Sequence, residues 1–413
     1  METSTRKPKI CGSTSKGIDR ISSLPDDILH NILSSLFIFD VVQLSLLPKR
    51  WKYIWTTMPY LHFDLDRFYS QRINRPCNSE MFAILRWIHV STRRNVQELV
   101  LSFNLGEPFE LPYCLATCES LQILKLRLSG NILKLPNHLG FHQLKLLHLE
   151  DVELSDEHLT SCLFSKCHLL ERLILEECGL GAMALLDIAS TSLIYFTLVN
   201  DNHYVESYCN WEVKICCPNL KFFKYQAPMP KDIIFENLFS IEDVRIFFID
   251  MSGSREENGI YKLIKEVPST SVLKLCKPTI WDLYEAVRTV RLAPISFYKL
   301  KILKLYVDVD EDFMQAMILL LKYSPNLEVL KLWSDENGDW IENLQMHDPD
   351  EIIVCLESHL KSIELIGFKD DENEIELIRF FLKNARVLEK LTIVWASYAD
   401  RSEETSTEVL KFS

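Results

Sequence analysis

A chain of 413 residues with 47% hydrophobic and 25% charged residues has ample material for a packed core, which excludes global disorder; its length fits one elongated array or two to three domains. Glycine is scarce, at 11 residues, which disfavours phosphate-cradling loops and collagen-like architectures. The net charge is −13, and the first 60 residues hold eight Lys/Arg against five Asp/Glu, so the remainder is more acidic than the whole; this excludes nucleic acid as the main partner and favours basic protein surfaces.

Residues 1–18 are rich in Ser, Thr, Lys and Gly and read as a disordered tail. From Leu24 the pattern changes. Pro25 suits a first helical turn, Asp26 and Asp27 suit the positive end of a helix, and Ile28, Leu29, Ile32, Leu33 and Leu36 build an apolar face. A second short helix is expected from Asp40 through Val41, Val42, Leu44, Leu46 and Leu47, followed by Lys49, Arg50, Trp51, Tyr53 and Trp55. Asp40 and several polar residues interrupt the stretch from Ile28 to Leu47, so two packed helices explain it better than a membrane span. The unit at residues 19–60 carries many large apolar side chains for its size and needs a partner to bury them.

Residues 61–95 read as a linker or N-terminal cap, and beyond them the chain repeats itself. The pattern apolar-x-x-apolar-x-apolar starts at Val96, Leu121, Leu144, Leu170, Leu193, Leu220, Ile241, Thr270, Leu300, Leu327, Leu360 and Leu388, at spacings of 21 to 33 residues. Each unit predicts one short parallel strand on the concave face of a solenoid, with a helix or an irregular return outside. Helical returns are expected around Phe313 to Leu321 and Ile375 to Leu382. The fold class is therefore α/β: a small N-terminal helical unit, leucine-rich repeats over residues 96–339, and a C-terminal region, 340–413, that supplies the last repeats and a cap.

Motifs that carry chemistry are weak. Gly179-Leu180-Gly181 with Ala184 matches a dinucleotide fingerprint, and Asp201 stands near the spacing of a ribose-binding acid, but the flanking strands belong to the repeat series. Cys114/Cys118, His158/Cys162/Cys167/His168 and Cys209/Cys216/Cys217 lack paired zinc knuckles and fall where small thiols serve as core residues. The acidic runs at Asp308–Asp312 and Asp370–Glu374 lack calcium-loop spacing and fit helix N-termini. No nucleophile elbow or Walker loop occurs, so neither a cofactor nor a metal is expected. The first twenty residues show no apolar signal region and no Asn-x-Ser/Thr sequon is present, which predicts free thiols in the cytoplasm or nucleus.

Asp19 to Leu29, then Ile32-Leu33-Ser34, Asp40-Val41-Val42 and Leu47-Pro48-Lys49-Arg50-Trp51, ending at Trp55, closely resemble the F-box of plant F-box/leucine-rich-repeat proteins. Cys355-Leu356, His359-Leu360-Lys361, Glu364 to Phe368, Glu374 to Ile378 and Lys383 to Ile393 resemble the FBD region at the C-terminus of the same family. The resemblance implies a non-catalytic substrate receptor of an SCF-type ubiquitin ligase, whose F-box docks on a Skp-type adaptor held by a cullin with its RING subunit, while the repeats hold an unknown target protein. By position in that motif, Leu24, Pro25, Ile28, Leu29, Ile32, Leu33 and Leu36 contribute to the adaptor-facing surface. Val42, Leu44, Leu46 and Leu47 supply the second helix, Lys49 and Arg50 a charged rim, and Trp51 and Trp55 aromatic anchors. Part of this set must pack the interior, and the sequence does not divide it. Pro48 and Phe37-Ile38-Phe39 depart from the family pattern and are expected to lower adaptor affinity. The competing expectation is a leucine-rich interaction scaffold that engages no ligase.

Overall fold

The computed structural model describes residues 21–33, 36, 41, 54, 57–64, 78–104, 106–180, 183–201, 211–248, 259–307, 309–334, 351–369 and 372–396. The expected N-terminal tail, most of the second F-box helix, and Pro48 and Phe37 to Phe39 lie outside them.

The first helix, α1, spans Asp26–Leu33. Seventeen strands follow among the described residues: β1 (Tyr60–Asp64), β2 (Glu98–Ser102), β3 (Phe109–Glu110), β4 (Ile123–Lys134), β5 (Leu146–Leu154), β6 (Arg172–Glu176), β7 (Leu185–Ala189), β8 (Tyr195–Val199), β9 (Glu212–Cys216), β10 (Phe222–Ala227), β11 (Asp232–Glu236), β12 (Asp243–Phe248), β13 (Val272–Cys276), β14 (Ile302–Val307), β15 (Val329–Ser334), β16 (Ser362–Phe368) and β17 (Lys390–Trp395). The main sheet runs β1-β2-β4-β5-β6-β8-β10-β12-β13-β14-β15-β16-β17, with short β3 also paired to β4. Chain order and sheet order coincide, and the pairings are parallel. This is the solenoid that the leucine spacing predicts, because a strand that buries alternate residues can complete its core only by stacking on the next unit.

All twelve repeat starts lead into strands of this sheet, and the buried positions align across it. Leu273, Leu303, Leu330 and Ile363 are register partners, as are Leu275, Leu305, Leu332 and Leu365, and all eight are fully buried. Each such side chain contributes about 1.5–3 kcal/mol through burial. A polar ladder seals the seams between repeats. Ser192 Oγ donates to the Leu170 carbonyl at 3.0 Å, Asn219 Nδ2 to the Thr191 carbonyl at 2.7 Å, Thr270 Oγ1 to the Glu242 carbonyl at 2.8 Å and Asn326 Nδ2 to the Tyr298 carbonyl at 2.7 Å. These bonds satisfy carbonyls where the chain turns into its strands.

Two features go beyond the expected pattern. First, β1 starts the sheet inside the segment read as linker or cap: Met58, Leu61 and Phe63 obey the same spacing rule and are all buried. Second, the returns around β6, β8 and β10 form a three-stranded parallel sheet, β11-β9-β7, rather than helices. Its alternation is plain in Leu186 and Ile188, and in Val213 and Ile215, all buried. Phe235 of β11 meets Phe223 of β10 edge-on with ring centroids 5.5 Å apart, so the small sheet closes the core against the main one.

Elsewhere helices make the returns, including Lys277–Arg288, Glu311–Lys322 and Glu372–Asn384. Asp310 caps the second of these by accepting a hydrogen bond from the Phe313 amide at 2.6 Å, and pairs with Lys277 at 2.8 Å. The acidic run there thus serves a helix N-terminus. The C-terminal region adds β16 and β17 to the same sheet. A bulge between Ile366 and Phe368 places Gly367 at φ +78°, where a β-carbon would stand 3.0 Å from the Ser334 carbonyl oxygen, so glycine is required by both backbone and space.

Nine cysteines lie among the described residues, all as free thiols. Burial pushes Cys167, Cys178, Cys217 and Cys355 up to about 12. Only the thiolate attacks an alkylating reagent. Iodoacetamide at pH 8 is therefore expected to modify half-buried Cys114, Cys162, Cys216 and Cys276 first and to spare those four until urea is added. Peptide mapping by mass spectrometry reads the order directly, and early alkylation of Cys178 or Cys355 would contradict the packing.

Candidate interaction surfaces

The helix α1 has two adjacent apolar ridges, about 100° apart around its axis, of which one is buried and the other exposed. Leu29 and Leu33, four residues apart, are 0% and 2% exposed and join the core that includes Val41, Ile54 and Met58. Ile28 and Ile32, on the next ridge, are 46% and 49% exposed, with Leu36 just past the helix end at 38% and Ile21 before it at 56%. The helix is fixed in this orientation by its packing and by His30 Nε2, which lies 3.1 Å from the Thr57 hydroxyl.

This geometry divides the residues that the motif groups together. Leu29 and Leu33 are interior, because a helix this short must spend one ridge on its own core. Leu24 is half-buried against that core, and Pro25 is exposed at the helix start. Ile28, Ile32 and Leu36 face outward, and Ile21 joins them. Ile21 lies within the motif, three residues before Leu24, but outside the helical spacing that marks the apolar face. Val42, Leu44, Leu46, Leu47, Lys49, Arg50, Trp51 and Trp55 lie outside the described residues.

The second surface is the open face of the main sheet, formed by the strand residues between the buried ones. From β2 to β6 it carries opposite charges in pairs: Lys125 with Glu98 at 3.5 Å, Arg127 with Glu150 at 3.6 Å and His148 with Glu176 at 3.0 Å. His148, Glu150 and Glu176 are the one group of metal-ligating atoms gathered within 4.8 Å among the described residues. Each carboxylate there already has a basic side chain beside it, which is the cross-strand pairing expected of an exposed sheet.

The dinucleotide motif dissolves in the fold. Gly179 forms an isolated parallel bridge with Glu153, and the chain continues into strand β7 rather than the helix whose N-terminus would hold a pyrophosphate. A β-carbon at Gly179 would meet the Glu153 carboxylate, the far end of a flexible side chain. Asp201 accepts from Gln226 Nε2 at 2.7 Å just beyond the end of β8, a central strand of the sheet. Among the described residues, no helix is long and apolar enough to cross a membrane.

Fold and surfaces together define a leucine-rich-repeat solenoid headed by a small helical module with an uncovered apolar ridge. The chain belongs to the F-box/leucine-rich-repeat proteins: residues 21–63 match the F-box domain and residues 62–411 match the family described as the At1g61320/AtMIF1 LRR domain. It is similar to the putative FBD-associated F-box protein At3g50710 of Arabidopsis thaliana, with 29% identity over 95% of this chain and 96% of the relative. The putative F-box/FBD/LRR-repeat protein At5g56810 of the same plant is 29% identical over 95% of this chain and 93% of its own length. F-box/FBD/LRR-repeat protein At3g26920 is 28% identical over 94% and 92%.

Proposed function

We propose that the chain is a non-catalytic substrate receptor of an SCF-type ubiquitin ligase, acting in the cytoplasm or nucleus. The outward ridge of Ile21, Ile28, Ile32 and Leu36 docks on a Skp-type adaptor, and through it on the cullin and RING subunits, while the repeats hold a target protein. The observation that carries this is the division of α1: one ridge completes the core, and the other leaves four large aliphatic residues uncovered on a unit that matches the F-box. Clustered aliphatic exposure on so small a module is the mark of an interaction site.

The chemistry asked of such a receptor is modest. Holding the target on the same assembly as the charged conjugating enzyme turns an encounter between two free molecules into one within a single complex, which raises the effective concentration of target lysines. No nucleophile or metal on this chain is required for that. Co-purification with a Skp-type adaptor tests the proposal. A stoichiometric complex with the full-length chain is expected; a folded chain that leaves the adaptor free in solution would favour a leucine-rich scaffold outside any ligase.

A further inference from the structure

The open face of the main sheet changes character beyond β8. The middle exposed position of five consecutive strands is Lys224 in β10, Arg245 in β12, Lys274 in β13, Lys304 in β14 and Lys331 in β15, and these residues are register partners from strand to strand. With neighbouring strands about 4.8 Å apart, the five cations form a row about 19 Å long. Two residues further along the same strands lies an aromatic row: Phe247, Tyr306 and Trp333, with small Cys276 between the first two. Tyr306 and Trp333 stack with centroids 5.1 Å apart, and Phe247 meets Tyr306 edge-on at 5.6 Å. Lys274 Nζ stands 4.5 Å from the Tyr306 ring centroid and 5.3 Å from that of Trp333.

Like charges opposite one another cost a sheet stability, and the β2 to β6 end of this face avoids them by pairing opposite signs. The row is held against that repulsion. Burial is the largest cause that pushes Lys224 and Lys304 below the ordinary lysine range; Asp201 and Glu176 near the first and Asp243 near the second oppose it, and the neighbouring cations Lys274 and Arg245, with Lys331 for the second, add to it. Two positions of the row are neutralised by the protein, Arg245 by a bidentate contact with Asp243 and Lys331 by Glu364. Among the described residues, no carboxylate forms an ion pair with Lys224 or Lys304.

We propose that this face binds an acidic, extended polypeptide segment laid across β10 to β15, with its carboxylates over the lysine row and its alternate apolar side chains on Tyr306 and Trp333. The dimensions agree. An extended chain rises about 3.3 Å per residue, so about six residues span the row, and the two rows stand about 6.6 Å apart along the strands, close enough for alternate side chains to reach both. Charge complementarity selects the occupant: the segment supplies the counter-charge that the row lacks. A nucleic acid is disfavoured, because its unbroken line of phosphates would run past Glu176 and Asp201 at one end and Glu364 at the other, whereas a short peptide can keep its carboxylates over the lysines between them.

This assigns a class of target to the receptor proposed above, and it is measured without the adaptor. Fluorescence anisotropy of the full-length protein with a dye-labelled peptide of about seven residues that alternates glutamate and leucine is the direct test. The protein is expected to bind it at least about tenfold more tightly than the glutamine-for-glutamate peptide, with affinity falling as salt rises. The double variant Lys224→Glu, Lys304→Glu should lose that preference, Lys304→Gln alone should weaken it, and Trp333→Ala should weaken binding of the leucine-containing peptide more than of a serine-containing one. Equal binding of the glutamate and glutamine peptides by folded protein, or tighter binding of a short DNA duplex, would overturn the proposal. Adaptor capture by a charge-reversed variant that no longer binds peptide would locate the loss in this face and leave the ligase role standing; peptide binding without adaptor capture would do the reverse.

Discussion

The double variant Ile28→Asp, Ile32→Asp is expected to abolish capture of a Skp-type adaptor while leaving the thermal unfolding of the protein nearly unchanged. Both side chains are about half exposed on α1, so their removal opens no cavity, and an aspartate in a short exposed helix costs only about 0.5 kcal/mol of helix propensity. At an interface the balance differs. The exposed halves of two isoleucines that become buried on docking are worth about 1.5–3 kcal/mol together, which corresponds to about 10 to 10² in affinity, before the larger penalty of burying two carboxylates is added. The opposite pair gives the control. Leu29→Ala with Leu33→Ala removes the buried ridge and should cost about 2–5 kcal/mol per residue, loosening the whole helical module. Loss of capture there would accompany a lost or lowered first unfolding transition. Retained capture by a folded Ile28→Asp, Ile32→Asp protein would show that the adaptor does not use this ridge.

That contrast also marks what the sequence could and could not reveal. A period of 3.6 locates an apolar face, and Ile28, Leu29, Ile32 and Leu33 all satisfy it. Which of two adjacent ridges faces the core depends on where Val41, Ile54 and Met58 sit, and those contacts are long-range. The repeats were more legible, because a strand that buries alternate residues repeats the same local rule twelve times. The rule also held at Met58-x-x-Leu61-x-Phe63, and only the absence of an earlier repeat hid it. The small sheet β11-β9-β7 was hidden for another reason: short alternating runs such as Leu185–Ala189 read equally well as the apolar side of a return helix.

Net charge does not say where on the surface the charges gather. A chain at −13 pointed to basic partners, yet the register of β10 to β15 gathers Lys224, Arg245, Lys274, Lys304 and Lys331 into one row. Residues 21 to 30 apart in sequence become neighbours about 4.8 Å apart once the strands align. Asp243 and Glu364 balance Arg245 and Lys331 on the same face, and the other three cations have no ion pair there among the described residues. Composition sums over the surface, whereas recognition depends on which face each residue reaches.

Phe223→Ala is expected to be the most damaging single truncation in the middle of the solenoid, at about 3–5 kcal/mol. The ring is fully buried on β10, 5.7 Å from Phe196 of β8 and 5.5 Å from Phe235 of the small sheet, so its loss leaves a void where the two sheets meet. Phe222, the preceding residue, points the other way, onto the open face between Tyr195 at 5.9 Å and the Arg245 guanidinium at 4.7 Å. Phe222→Ala gives up a tilted ring contact with Tyr195 and a cation–π contact with no cavity behind it, at about 1 kcal/mol. Because each repeat touches only its neighbours, the damage from Phe223→Ala should stay local. Hydrogen exchange should show lost protection in β8, β10, β11 and β12, while β14 to β17 keep theirs. Equal costs in urea for the two substitutions would contradict the alternation of the strand. Uniform loss of protection to β17 would instead show that the solenoid unfolds as one cooperative unit, with coupling carried the length of the parallel sheet.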